Sequence, residues 1–377
     1  MFMLWRSGQS VAAEGLSRFL ERGPVTSLER RVRTFFQEPG NDEAPRVIVG
    51  ALPFDVAGHD FLFQPKTFNR SEAAASPFGD ASAPRYRAPR RMVSDPTPAA
   101  YAAVVREALS RIKQGDVAKV VLARSLCIDV YEPVDARALA GRLARDPNAI
   151  TYLVDLSLAS GARDHTLVGA TPELLVSRTE RRVTSHPLAG SARRSPNAAE
   201  DQRAGQALLQ SEKDMREHKV VVESILDILA PLCSRLAAPG GTTLCSTATM
   251  WHLGTRIEGE LKADAPSAAG LAALLHPTPA VGGVPREAAN RLIHELETHD
   301  RGFYAGAVGW TDAQGDGEWY VTLRCAEIQG TRLVLHAGAG IVAGSDPDAE
   351  AAETSAKFRT MLRALGMEEQ EELMKAI

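Results

Sequence analysis

The segment AKVVLARSLCIDV, residues 118–130, alternates with the period of a β-strand. Val120, Leu122, Leu126, Ile128 and Val130 fall on one face, and Lys119, Val121, Ala123, Ser125 and Cys127 on the other. Lys119 stands near the start of this apolar run, on a face whose small residues leave room for something other than core. It has two readings. As an edge-strand lysine it reaches for water. Facing a cavity it is desolvated, and burial favours the neutral amine that a general base needs.

Outward from this strand, more strands follow. Residues 98–114 read as an amphipathic helix. HTLVGA (165–170), ELLVSR (173–178) and RRVTSHPL (181–188) read as short strands joined by turns. A helical stretch covers Asp201 to Leu236. After TMWHLGTRIEGEL (249–261) and the loop HPTPAVGG (276–283), a helix is expected from Pro285 to Thr298. Strand-like runs return in FYAGAVGW (303–310), GEWYVTLRCAEI (317–328) and RLVLHAG (332–338), before the last helices. The first 70 residues hold helical pieces and the strand RVIVGALPF (46–54). Residues 71–98, rich in Ala, Ser, Pro and Arg, read as a loop, and their RYRAPRR (85–91) as solvated rather than phosphate-binding. Strands beside strands predict an α+β fold of antiparallel sheets with helices packed outside.

Composition narrows the function. The 377 residues are 44% hydrophobic with a formal net charge of −4, enough for a sizeable core and no bulk attraction to nucleic acid or an anionic membrane. No run approaches membrane-spanning length, and the apolar run at the start is expected to be too short for a signal peptide. Cys127, Cys233, Cys245 and Cys325 lie far apart and read as buried free thiols in a reducing compartment. A cytoplasmic protein is expected.

Two acidic stripes stand out. In SEKDMREHKVVVESILDIL (211–229), Asp214 and Glu217 share a face with Val221, Ile225 and Ile228. Asp214 is explained by a capping box with Ser211; Glu217 is not. In GSDPDAEAAETSAKFRTML (344–362), Glu350, Glu353, Lys357 and Met361 run along one stripe. Glu353 with Lys357 is also an ordinary i,i+4 pair. If two helices bring Glu217 and Glu353 together, the like charges need a cation. Hard oxygen ligands without His or Cys point to Mg²⁺ completed by an anionic substrate. Lys357 would then meet the substrate's negative charge.

Other groups are open to two readings. Glu173, in the corner GATPELL, is an exposed strand start or a carboxyl raised by apolar surroundings into an acid. Arg324 interrupts a strand and, if buried, demands a carboxylate partner. His252 among apolar neighbours reads as a core histidine, and His276 before Pro277 braces its turn. HAGAGIV (336–342) lacks the third glycine of a dinucleotide loop, but its glycines let backbone N–H groups face a carboxylate. PLAGSARR (187–194) offers a second close-approach loop.

Together, KVVLARS, GATPELL, PLAGSARR, SEKDMREH, MWHLGTRIEGEL, HPTPAVGGVP, FYAGAVGW, LRCAEI and AGAGIVAGSDPDAEAAETSAK resemble the chorismate-binding enzymes. These include isochorismate synthases, salicylate synthases and the large chains of anthranilate and aminodeoxychorismate synthases. The resemblance spans 93–366, the catalytic core, with 1–92 a less well matched part of the same single domain; IVGALPFD looks like the siderophore-associated isochorismate synthase branch. It implies an anthranilate synthase component I-like sandwich of large antiparallel sheets with the site in a cleft. It implies Mg²⁺ on Glu217 and Glu353, with Asp214 and Glu350 behind them. It makes Gly190, Ser191, His252, Ala280, Tyr304, Leu323, Arg324, Gly338 and Lys357 substrate-binding. It makes Lys119 the base that activates water and Glu173 the acid. Amine-adding members typically carry AGTRPRG where this chain has AGSARR, and generally lack the lysine. Tyr304 and Leu323 are shared with salicylate synthases, whereas Ala280 and Val281 look like the isochorismate pattern. The expectation is an isochorismate synthase acting on chorismate, as a monomer or weak dimer. Salicylate formation, amine addition and a catalytically silent chorismate binder are its rivals.

Overall fold

The computed structural model describes residues 1–367 apart from 40–42, 73–75, 79–88, 158–160 and 162–163. The opening segment forms the strand Lys119–Asp129, nearly all of it buried. It pairs antiparallel along its length with Arg332–Val342, Lys119 opposite Val342 and Asp129 opposite Arg332. Both belong to a ten-stranded sheet; a nine-stranded and a three-stranded sheet accompany it. Every strand pairing among the described residues is antiparallel.

One core joins the two large sheets. Val120, Tyr152, Val154 and Leu167 of the first share it with Val49, Leu175, Val183 and Trp319 of the second. A second core lies where Leu126, Ile128, Leu333 and Leu335 meet Leu139 and Leu143 of the helix Ala136–Leu143 and Phe358, Met361 and Leu362 of the helix Pro347–Leu365. A fully buried side chain of this kind contributes roughly 1.5–3 kcal/mol, against about 0–1 kcal/mol for an exposed ion pair, so these clusters hold the layers together.

The helices begin and end where the residues dictate. The helix Pro98–Gln114 is capped by Thr97 Oγ1 accepting from Ala100 N, carries Pro98 in its first turn and stops at left-handed Gly115. For the helix Pro347–Leu365, Asp346 is the cap, accepting from Ala349 N at 2.8 Å. Ser211 caps the helix Glu212–Leu229 by accepting from Asp214 N.

Two crossovers position the site. The chain leaves the ten-stranded sheet at Thr171 and enters the nine-stranded sheet at Leu174, with Pro172 and Glu173 spanning the gap. It returns between Val321 and Cys325, through Thr322, Leu323 and Arg324. Arg324 turns with φ of 48°, a left-handed conformation unusual for a side chain of its size. Val321 N donates to Glu173 O at 3.1 Å and Ala170 N to Arg324 O at 3.2 Å, so the crossovers lie side by side.

The structure corrects several expected elements. The stretch 201–236 is not one helix. It holds the end of Ala198–Gln210, then Glu212–Leu229, a 3-10 turn and the strand Cys233–Ala237. Ser211, extended at ψ 112°, breaks the first helix by capping the second, and Pro231, with no N–H, ends the run. GEWYVTLRCAEI is two strands in different sheets, for the reason just given. The expected loop contains a strand, Arg91–Asp95, which pairs with Cys127 and its neighbours, and its first residue, Ser71, ends another, Thr67–Ser71. Residues 85–88 of RYRAPRR lie outside the described residues. Among the described residues no helix is long and apolar enough to cross a membrane. All four cysteines are free, but Cys127 and Cys245 are only half-buried.

Candidate active site

Glu173 and Arg324 open from their crossovers into a cavity of about 980 Å³, mouth included. Its wall contains Gly190, Ser191, Asp214, Glu217, His252, Ala280, Tyr304, Leu323, Gly338, Glu350, Glu353 and Lys357. That is every expected site residue except Lys119. Lys119 does lie on the cavity face of its strand, as alternation predicts, and its neighbour Val121 lines the wall. The amine itself is covered: the residue is 1% exposed, and Nζ lies 2.9 Å from Glu217 Oε1. That contact is an ion pair without hydrogen-bond alignment, and Lys119 Nζ has no hydrogen-bond partner among the described residues. Glu217 reaches it over Gly340, where a Cβ would stand 2.2 Å from Glu217 Oε1. Only glycine leaves that path open.

Glu173 is 2% exposed, and burial pushes its carboxyl up to about 8. A hydrogen bond from the Leu188 backbone and the positive charges of Lys119, Arg324 and Lys357 oppose the rise without cancelling it. At neutral pH the group is a carboxylic acid, able to give a proton into the cavity.

The two acidic helices do converge. Glu353 Oε1 accepts from Ser191 Oγ at 2.9 Å and pairs with Lys357 Nζ at 2.7 Å. Burial works against the Glu353 carboxylate, but Lys357, Ser191 and Lys213 outweigh it and hold its pKa below the ordinary value. Glu350, beside it, pairs with Lys213 Nζ at 2.7 Å. Burial, then the charge of Glu353, raise Glu350; burial, then Glu217 and Glu353, raise Asp214. The carboxylates thus feel one another. All are oxygen donors of the kind a hard cation takes, but among the described residues no three of them converge, and Glu217, Glu350 and Glu353 are each paired with a lysine.

Opposite them sits His252. Its Nδ1 faces the Gly190 carbonyl at 3.2 Å, and its Nε2 faces a guanidinium nitrogen of Arg324. A carbonyl only accepts and a guanidinium only donates, so the proton is on Nδ1. Burial, then the charges of Arg324 and Lys357, push the imidazole well below its usual range and keep it neutral. Arg324 has no carboxylate ion pair among the described residues: the expected carboxylate partner is replaced by this imidazole. Burial lowers its pKa to about 10, so it remains a cation. Gly190, at φ 68°, supplies a turn that favours glycine and packs against Asp214.

Lys357 also donates to the Gly338 carbonyl at 2.8 Å. Gly338 therefore presents its carbonyl to the lysine, and the two expected substrate contacts are joined to each other. Tyr304 stacks on His336, ring centroids 5.1 Å apart, and burial pushes its hydroxyl up. His276 does not brace its own turn alone; Nε2 ties it to the Pro53 and Phe54 carbonyls at 2.9 and 3.0 Å. Lys213 and His336 were missed in the sequence. Both had a signal: Lys213 is one turn before Glu217, and His336 shares the period-two face of Gly338 and Gly340.

A family model described as chorismate binding enzyme matches residues 66–366. The chain belongs to the chorismate binding enzymes. Among relatives in this family, the isochorismate synthase DhbC of Bacillus subtilis is 48% identical over 275 residues, covering 72% of this chain and 69% of its own. The isochorismate synthase EntC of Escherichia coli is 40% identical over 324 residues, covering 85% and 81%. A Bacillus anthracis structure described as a 2,3-dihydroxybenzoate-specific isochorismate synthase superposes with a TM-score of 0.88 at 39% identity, covering 97% of this chain and 96% of its own. Anthranilate synthase component I from Streptococcus pneumoniae, at 19% identity and a TM-score of 0.71 over 94% of this chain and 92% of its own, shares the fold. The expected α+β sandwich of this family is therefore the observed one.

Proposed function

We propose that this chorismate binding enzyme is an isochorismate synthase, an isomerase that adds water at C2 of chorismate and removes the C4 hydroxyl. What supports the reading is an acid kept protonated, Glu173, on the wall of a cavity whose Glu217 covers a buried amine, Lys119, that has no aligned hydrogen bond among the described residues. A bond forms from the water oxygen to C2, the ring double bonds shift, and the C4–O bond breaks. Once Glu217 has let go and the ammonium has given its proton to solvent, the neutral Lys119 amine takes a proton from the water, and Glu173 gives one to the departing oxygen, so atoms and charge balance. Solvent returns the two groups to their starting states. The reading requires Glu217 to relax its hold on the Lys119 amine as water arrives.

Arg324 and Lys357 are the cations for the substrate carboxylates, and His252, locked in one tautomer, keeps the guanidinium aimed. Glu217 and Glu353 would hold Mg²⁺, with Asp214 and Glu350 beside them. Bound there, the ion would fix the ring carboxylate as a Lewis acid. The identities of the relatives support a role in supplying isochorismate for a 2,3-dihydroxybenzoate or salicylate siderophore, and four free cysteines suit a cytoplasmic enzyme. We take it to act as a monomer or weak dimer.

Purified protein with chorismate and Mg²⁺ should give isochorismate by HPLC, without pyruvate and without an ammonia requirement, and EDTA should stop it. Pyruvate release would make it a salicylate synthase. Binding in calorimetry without turnover would make it a silent binder. Lys119→Ala should abolish water addition while chorismate binding stays measurable; full activity in that variant removes the base.

A further inference from the structure

The strand Lys119–Asp129 has a gap on one edge. Gly283–Val284 pairs with Val120 and Lys119, and Arg91–Asp95 pairs with residues 125–129. Residues 121–124 have no strand on that side among the described residues. Buried backbone groups without partners are costly, so something must satisfy them. Val121 N donates to Gly282 O at 2.7 Å. Two more are met by side chains: Val121 O accepts from Arg301 Nη2 at 2.7 Å, and Ala123 N donates to Glu297 Oε1 at 2.7 Å.

Those side chains form a buried ion pair. Arg301 Nε donates to Glu297 Oε2 at 2.9 Å, and both side chains are at most 3% exposed. The third arm of the guanidinium, Nη1, donates to Val281 O at 2.9 Å, and the Arg301 carbonyl accepts from Tyr304 N at 2.9 Å. The guanidinium rests on the Phe54 ring, 4.1 Å from its centroid. Val121, Val281 and Tyr304 all line the cavity, while Glu297 and Arg301 do not. Ala123 is the register partner of Gly338, which holds Lys357.

We propose that Glu297 and Arg301 are positioning residues: their ion pair stands in for the missing strand and ties two separate wall segments of the cavity, at Val121 and Val281, to one guanidinium. The inference rests on that cavity being the catalytic one. Arginine is required because its planar fork serves two carbonyls and a carboxylate at once, which an ammonium on a flexible stem does not do in fixed geometry. Displacement of a wall by an ångström or so costs alignment more than binding, since Arg324 and Lys357 approach from elsewhere.

Three variants test this: Arg301→Lys, Glu297→Ala and Glu297→Gln. Arg301→Lys and Glu297→Ala should lower kcat by about 10²-fold while KM for chorismate changes less than about threefold. Glu297→Gln keeps a carbonyl acceptor for Ala123 N and should recover part of the loss. In Glu297→Ala the Ala123 amide should exchange faster than its neighbours. Folded Arg301→Lys and Glu297→Ala proteins with kcat within about twofold of wild type overturn the proposal. A purely structural pair is tested by the double variant Glu297→Leu, Arg301→Met, because apolar replacement of a buried ion pair often leaves stability intact. If that protein is folded and fully active, the positioning role is wrong. Should every variant fail to fold, exchange in the wild type decides: an Ala123 amide as labile as an open strand edge overturns the proposal, and protection at the level of the core supports it. Absence of chorismate turnover in the wild type would count against the functional reading instead.

Discussion

Two of the cavities among the described residues, about 980 and 1160 Å³ with their mouths, differ in what lines them more than in outer volume. The first is walled by Glu173, Glu217, Glu350, Glu353, Arg324 and Lys357, with Lys119 behind Glu217. The second, lined by Trp5, Arg6, Gln9, Ser10, Arg70, Glu72 and Tyr320, keeps Arg6, Arg70 and Glu72 exposed. Its polar contacts are local. Ser10 and Ser71 share a hydrogen bond at 2.7 Å, and Arg70 rests 4.8 Å from the centroid of the Trp310 ring. Exposed charges are screened by water and do little chemistry; buried ones have their proton affinities moved. The first cavity holds an acid displaced to about 8 by burial, and that is what makes it the candidate reaction site.

Glu173→Gln should lower kcat by about 10³-fold, within the usual span for losing a general acid, while calorimetric affinity for chorismate stays within about threefold. The pH profile sharpens this. The acid form is the working one, so kcat should fall as pH rises through about 8, and the fall should be missing in Glu173→Gln. A wild-type profile that rises through that region would break the assignment of Glu173 as the acid.

A smaller effect is expected at the floor of the same cavity. In Gly340→Ala the new methyl collides with the Glu217 carboxylate. The Lys119–Glu217 contact must open, and kcat/KM should drop about tenfold with little change in the unfolding midpoint. Unchanged kcat/KM would mean that the ion pair is incidental.

The smallest effect belongs to the second cavity. Arg70→Ala and Gln9→Ala should leave kcat and KM within about twofold of wild type, because neither residue is buried or, among the described residues, paired into a charged network. A loss above tenfold in either would show that the two cavities are coupled and that burial is a poor guide here.

Much of the first cavity was legible in the chain because local periodicities expose it. Glu217 stood on an apolar helix face without a cap to excuse it, and Glu353 and Lys357 stood one turn apart. Gly338 and Gly340 recur with the strand period. What periodicity does not carry is the partner of each group. Arg324 was expected to find a carboxylate and found His252 instead. Lys119 was expected to face the cavity and is covered by Glu217. Ser211 and Pro231 signal helix breaks, but their effect was hidden by the amphipathic pattern on either side.

The sequence by itself determined the strand alternation, the caps, the acidic stripes and the ordered motifs that mark a chorismate binding enzyme, because these depend on residues a few positions apart. The tertiary structure alone decided which lysine meets which carboxylate, that Glu173 and Arg324 share neighbouring crossovers, and that Glu297 with Arg301 closes a sheet edge about 180 residues away in the chain. Electrostatics and desolvation act through space, and only the fold sets the distances at which they operate.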